Sequence, residues 1–223
     1  MTEQPIPPSP SRGDGLPPCG RQPQISAVPA IAPAADFPAF KEWAAVVAAL
    51  GAGAQTIILR KGGISEGRGG FDPDHAPRFW LFPTAFHAQR EKLRPEAARF
   101  FPATDPEPGV SPAVPPALDT YADLVAHRFV SEWSEVSALA PHHFWTEPTV
   151  RERFDWSRPA GLHVLLVRVH RLATPLVLPS GLNLGGCKSW IDLPLGDPAA
   201  HASSPALDDL AFAAARERFQ TGV

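Results

Sequence analysis

Apolar positions along this chain alternate between a spacing of two and a spacing near 3.6, and the changes divide it into elements. Phe40, Trp43, Val47 and Leu50 fall at i, i+3, i+7 and i+10, which predicts an amphipathic helix over 37–50, with Asp36 as N-cap and Gly51 as its C′ stop. "QTIILRKG" and "RFWLFP" are strand-length, rich in β-branched or aromatic residues and bounded by Gly or Pro, so both read as strands. "TAFHAQREKLRPEAARFF" regains helical spacing at Phe86, Leu93, Ala97 and Phe101, with Thr84 placed to cap it and Pro95 to interrupt it. A strand through "YADLVAHRFV" and short helices over 133–139 and 146–154 precede the strongest strand, "GLHVLLVRVHRL". Its apolar residues occupy both faces, as in a central strand, while Arg168 and His170 share one face near its end. "GCKSWIDLP" reads as a closing strand, and "SPALDDLAFAAARERFQ" as a capped helix with Leu207, Leu210, Ala214 and Phe219 as its apolar side. Strands and helices out of strict alternation indicate α+β, a small curved mixed sheet with packed helices.

Composition sets the domain limits. Ten of the 28 prolines lie in the first 38 residues, where no apolar periodicity offsets the entropy of ordering, so residues 1–36 are expected to form a disordered Pro-rich arm. Residues 37–220 then make one domain, interrupted by a Pro-rich insertion at about 102–116. The beginning lacks the basic and apolar regions of a signal peptide, and the alanine-valine-leucine run over 44–50 is far too short for a bilayer, which predicts a cytoplasmic protein with no membrane partner. Two cysteines, Cys19 in the arm and Cys187 in "GGCKSW", offer no disulfide framework and no structural zinc site unaided. The oligomeric state stays open.

Charge changes the picture more than composition does. The net charge is −3, which argues against coating nucleic acid by field strength alone. Yet residues 55–99 carry eight Lys/Arg against five Asp/Glu, residues 100–150 one against seven, and residues 151–190 six against two. Brought together, the first and third segments would form a basic cleft. Arg60 and Lys61 end a strand beside the glycines of "LRKGGISEGRGGF", and alternation points them to opposite faces. An Arg fork beside glycine suits a phosphate, although Arg60 also suits a pairing with Glu42, and the glycine spacing matches neither the P-loop nor the dinucleotide fingerprint. Thr84 and His87 add a hydroxyl and an imidazole at a predicted helix start, and Lys188 and Ser189 sit beside Cys187. His142, His143, Glu147, Asp155, His163 and His170 have metal-binding side chains but no ligand spacing, so no metal and no cofactor is expected. The glycine box and paired glutamates of Nudix hydrolases and the Asp…Glu-x-Lys set of restriction-type nucleases are missing as well.

Together, "FKEWAAVVAALGAGAQTIILRKGGI", "RFWLFPTAFHAQ", "PHHFWTEP", "RFDWSRPAGLHVLLVRVHRL" and "GGCKSWIDLP" resemble a bacterial and cyanobacterial family catalogued only as a domain of unknown function. That family's usual Pro-Thr-x-x-His-Gln reads Pro-Thr-x-x-His-Ala here, with Gln89 one place late, which puts in doubt any role requiring that amide. The order of helix, Gly-x-Gln-Thr and an apolar strand ending in Arg is also similar to the entry of ASCH and other PUA-like domains. This second resemblance implies a helix-plugged small barrel that binds RNA or modified nucleobases, with Arg60, Thr84 and Lys188 near the ligand and Trp80 and Trp190 able to stack on bases. The leading expectation is binding of RNA, DNA or a nucleotide-like anion in a basic cleft around Arg60, Lys61, Thr84, His87, Arg168, Lys188 and Ser189. The competing expectations are a metal-dependent phosphodiester or nucleotide hydrolase, with His87 or His143 as acid/base and Glu42 as its partner or metal ligand, and a protein-interaction adaptor using the Pro-rich arm.

Overall fold

A computed structural model describes residues 35–61, 71–84, 89–102, 117–156, 159–179, 181–182, 184–186 and 188–221. The arm up to residue 34, most of the Pro-rich insertion, the glycine stretch 62–70, His87 and Cys187 lie outside the described residues. The fold is α+β, as the element pattern predicts.

Seven strands form one mixed sheet: β1 (Phe37–Trp43), β2 (Ile57–Arg60), β3 (Arg78–Thr84), β4 (Ala117–Val130), β5 (Leu162–Val177), β6 (Trp190–Leu193) and β7 (Ser203–Pro205). Their order is β2-β5-β4-β3-β1-β6, with β7 continuing the β5 edge, and only β1 and β3 run parallel. The helices are α1 (Ala44–Gly51), α2 (Gln89–Lys92), α3 (Trp133–Ala138), α4 (Glu147–Trp156) and α5 (Asp209–Thr221). Register shifts between Leu118 and Thr120 and between Leu124 and Ala126 bend the long β4–β5 ribbon. Each face of the sheet has its own packing. Phe40, Ile58, Phe79 and Leu81 belong to one apolar cluster, while Ala39, Trp80, Tyr121 and Leu193 belong to another. Alternation along a strand sends neighbours to opposite clusters, and both are buried in the middle of the sheet.

The main correction falls on residues 37–50. Phe37–Trp43 is a strand, and the helix begins only at Ala44. Helical spacing of Phe40 and Trp43 is outweighed by two ladders, parallel to β3 and antiparallel to β6, which satisfy the backbone of β1 on both sides. The helix that remains is buried nearly all round, at Ala45, Val46, Val47, Ala49, Leu50 and Gly51, so it plugs the curved sheet rather than lying on it. Its stop is Gly53, not Gly51: Gly53 has φ +67°, Gly53 N–H donates to Leu50 O at 3.0 Å and Ala54 N–H to Ala49 O at 3.0 Å, the paired bonds of a Schellman ending. Gly51 is required for space instead, because a Cβ there would meet Thr120 Cγ2 at 2.8 Å.

Three smaller differences matter for function. Thr84 ends β3, and the described residues of the segment after it form α2 and a 3₁₀ turn over Pro95–Phe100. β2, next before β3 in the chain, pairs not with it but with β5. On α5 the buried residues are Phe212, Ala215 and Phe219, while Leu210 is 83% exposed. Among the described residues no helix is long and apolar enough to cross a membrane.

Candidate functional site

The strand path ends at β2 on one side and β6 on the other, and the sheet curls until these two edges meet. Arg60, the last residue of β2, donates from Nε to Ser189 Oγ, next to β6, at 2.9 Å. Its guanidinium lies 5.2 Å from the Phe40 ring, and Phe71 bridges the same seam, stacked on Trp190 and edge-on to His163. Side chains, not a backbone ladder, therefore join the two edges of the open sheet. Ser189 is fully buried and its carbonyl accepts from Lys41 N–H at 2.8 Å. Lys41, which exposes only 9% of its surface, donates from Nζ to Leu184 O at 2.9 Å and Gly186 O at 2.8 Å. A buried ammonium thus holds the carbonyls of the loop that presents Ser189 to Arg60.

On β1, two residues beyond Phe40 and so on the same face, lies Glu42, 1% exposed. Its Oε1 accepts from Trp43 N–H at 2.8 Å, while Oε2 has no hydrogen-bond partner among the described residues. Thr84 Oγ1 donates to the Glu42 carbonyl at 3.0 Å and pins the end of β3 to β1. Gln89, wholly buried, accepts from Ala45 N–H at 3.4 Å through Oε1, so the displaced amide supports the first turn of α1.

The third component comes from α4, and sequence reasoning missed it. Leu93 bridges to Trp145, Arg94 N–H donates to Phe144 O at 2.7 Å and Thr146 N–H to Lys92 O at 3.1 Å, which fixes where α4 begins. Arg153 then projects against the seam, 3.7 Å from the Trp145 ring and 5.3 Å from Trp43, and donates from Nη1 to Leu59 O at 3.3 Å. Burial pulls its pKa down to about 10, Glu42 opposes that fall and Arg60 adds to it. The residue as a whole is half-buried, and with a pKa of about 10 the group stays cationic at neutral pH. Lys61 places Nζ 3.7 Å from the ring of Trp156, one turn from Arg153 on α4. Its pKa is lowered first by burial and then by Arg153, with Arg60 and Lys92 contributing and Glu152 opposing. Lys92 and Glu152 pair at 2.7 Å. Arg60, Lys61, Lys92 and Arg153 therefore share one neighbourhood with two carboxylates, Glu42 and Glu152.

Other predicted residues are placed elsewhere or already engaged. Arg168 pairs with Asp209 of α5 at 2.6 Å and lies 4.7 Å from the Phe212 ring. Lys188 is exposed beside Ser189. His143 is buried, its Nδ1 accepts from Trp145 N–H at 3.1 Å, and desolvation lowers its pKa to about 3, so it is a neutral fastener for the Trp145 segment. His170 meets Asp123 at 3.2 Å on β4. Trp80 is fully buried and donates to Gly196 O, while Trp190 donates to Asp72 O and packs on Phe40 and Phe79, so neither ring is free to stack on a base. No group of three or more His, Cys, Asp or Glu able to hold a metal occurs among the described residues. Two clefts form against α5, one lined by Gln55, Arg168 and Phe212 and the other by Asp209, Arg216 and Gln220, and neither touches Arg60.

A family model described as a domain of unknown function, DUF1802, matches residues 39–218. The chain belongs to this family. In the DUF1802 chain the match runs from β1 into α5, so it takes in the whole seam. Among solved structures, the chain is similar to ASCH from Zymomonas mobilis, at 16% identity and a TM-score of 0.43, over 70% of this chain and 86% of that one. A tyrosine-to-phenylalanine variant of that protein matches at 16% identity and 0.42, over 70% and 88%. A serine-to-alanine variant matches at 16% and 0.36, over 59% and 66%. None of the curated proteins matches the chain.

Proposed function

We propose that the seam binds a nucleic acid or nucleotide-like anion through its phosphate, on Arg60, Lys61 and Arg153. The observation that carries this is the gathering of four cations in one neighbourhood, where burial holds Lys61 and Arg153 below their ordinary pKa values and Arg60 lowers both further. Like charges held together in partly desolvated surroundings repel, and an arriving anion relieves that repulsion. Guanidinium forks match phosphate geometry, and Arg60 is already aimed by Ser189. The overall charge of −3 makes this attraction local rather than global.

Fluorescence anisotropy of a single-stranded RNA oligonucleotide at graded salt tests the proposal. Three phosphate contacts predict a slope of log K against log salt of about −2. Arg60→Ala and Lys61→Ala should each weaken binding and make the slope shallower by roughly 0.7. Binding that is insensitive to salt, or unchanged in both variants, overturns the reading. One observation favours hydrolysis as a second reading: Glu42 Oε2 is a buried carboxylate oxygen without a hydrogen-bond partner among the described residues, in the same neighbourhood as Arg153. Turnover of a generic phosphodiester that is abolished in Glu42→Gln supports that reading, and its absence in the native chain removes it.

A further inference from the structure

The seam cations account for a phosphate and leave one neighbouring feature without a purpose. Trp156, the last residue of α4, exposes 56% of its surface, more than any other aromatic among the described residues. Indoles are usually well covered, because each has a large apolar area to remove from water. Trp43 and Trp145 meet each other edge-on at 4.4 Å under Arg153, and Trp80 and Trp190 are held in the packing of the sheet. Trp156 instead stands at the rim, next to Lys61, whose ammonium lies 3.7 Å from the ring centroid. Lys61 therefore rests on the ring while lying within electrostatic range of Arg60 and Arg153, and a ligand carrying both an anion and a flat ring would meet the cations and the ring together.

We infer that Trp156 is the platform on which the base of a bound nucleotide stacks while its phosphate sits on Arg60, Lys61 and Arg153, so that the site selects nucleotide units over bare phosphates. This rests on the phosphate reading above and names the part of the ligand that reading leaves open. Stacking on an exposed indole is tolerant of base identity, since every base presents a π-face. A cation already resting on the ring also fits such a platform, because the ring's negative face is attractive to it and the ammonium stays within reach of the phosphate. The alternative role for the contact, a cation–π pair that only fixes the end of α4, predicts no preference for a base.

Calorimetric titration of the full chain with ribose 5-phosphate and adenosine 5′-monophosphate separates the two. In the native protein the nucleotide should bind about tenfold more tightly than the sugar phosphate. Trp156→Ala should abolish that preference while leaving ribose 5-phosphate within about twofold, and Trp156→Phe should retain most of it. Equal affinities in the native protein, or a preference that survives Trp156→Ala, overturn the inference while the phosphate reading stands. Failure of both ligands to bind, with Arg60→Ala indistinguishable from native, overturns both.

Discussion

Arg60 and Arg168 end or interrupt neighbouring strands of one sheet, yet the two regions treat a cation in opposite ways. At the α5 side, Arg168 meets an exposed carboxylate, Asp209, and rests on Phe212, so its charge is answered locally. At the seam, Arg60, Lys61 and Arg153 rest on Phe40, Trp156 and Trp145, aromatic faces that accept a cation without neutralising it. Among the described residues the one carboxylate buried beside them is Glu42. A cation count along the chain treats these regions alike. What separates them is that Arg168 has one exposed acid in direct contact, whereas the seam holds several cations against rings, and that difference is the ground for proposing the seam as the anion site.

The comparison can be broken most decisively at its two carboxylates. Glu42→Ala should destabilise the fold by about 3 kcal/mol in urea denaturation, because it leaves Arg153 beside a desolvated gap with its opposing charge removed. A loss below about 1 kcal/mol would show that Arg153 does not depend on Glu42. Next in size is a pH effect carried by His143. Its folded pKa lies near 3, below the ordinary value of 6.5, so the unfolded chain takes up a proton first. Its share of stability is complete above pH 6.5 and falls as pH drops toward 3, by up to about 1.4 kcal/mol per pH unit. Replacing His143 by Gln should flatten that part of the stability curve, and an unchanged slope would mean the ring is not held neutral. The smallest effect is expected at the α5 side. Asp209, 98% exposed, sits in a surface pair, and Asp209→Ala should change neither the melting temperature nor the salt dependence of RNA binding. A clear loss of binding there would make the two regions one site.

Much of the fold was legible because strands and helices announce themselves through residues close in sequence. "QTIILRKG", "RFWLFP" and "GLHVLLVRVHRL" contain β2, β3 and most of β5, and the acid-rich middle segment does supply the long β4. The site was legible only in part. Arg60, Lys61 and Ser189 were reachable as polar residues at strand ends beside glycine. Arg153 carried no comparable signal, since an arginine in a short, polar-rich helix looks like any solvated residue, and Trp156 lay just beyond the helix expected over 146–154. Lys41 and Gln89 were hidden for the same reason: nothing in "FKEW" or "HAQR" says that the ammonium will be buried under two carbonyls or that the amide will hold α1. The misplaced helix over 37–50 has a different cause. Phe40 and Trp43 fit a helical stripe, but β1 gains two ladders by extending, and local spacing carries no information about partners 40 and 150 residues away.

The amino-acid order alone determined the α+β class, the identity of the central strand and the presence of cations at the end of β2, because these follow from side-chain periodicity and turn residues over a few neighbours. Only the tertiary structure decided that β1 is a strand, that the edges β2 and β6 meet through Arg60 and Ser189, and that Glu42, Lys61, Arg153 and Trp156 stand together. The physical reason is that such convergence depends on strand order and sheet curvature, which are set by pairing among distant segments. A residue's charge is written in its own side chain, but whether that charge is answered is written in whatever the fold packs against it.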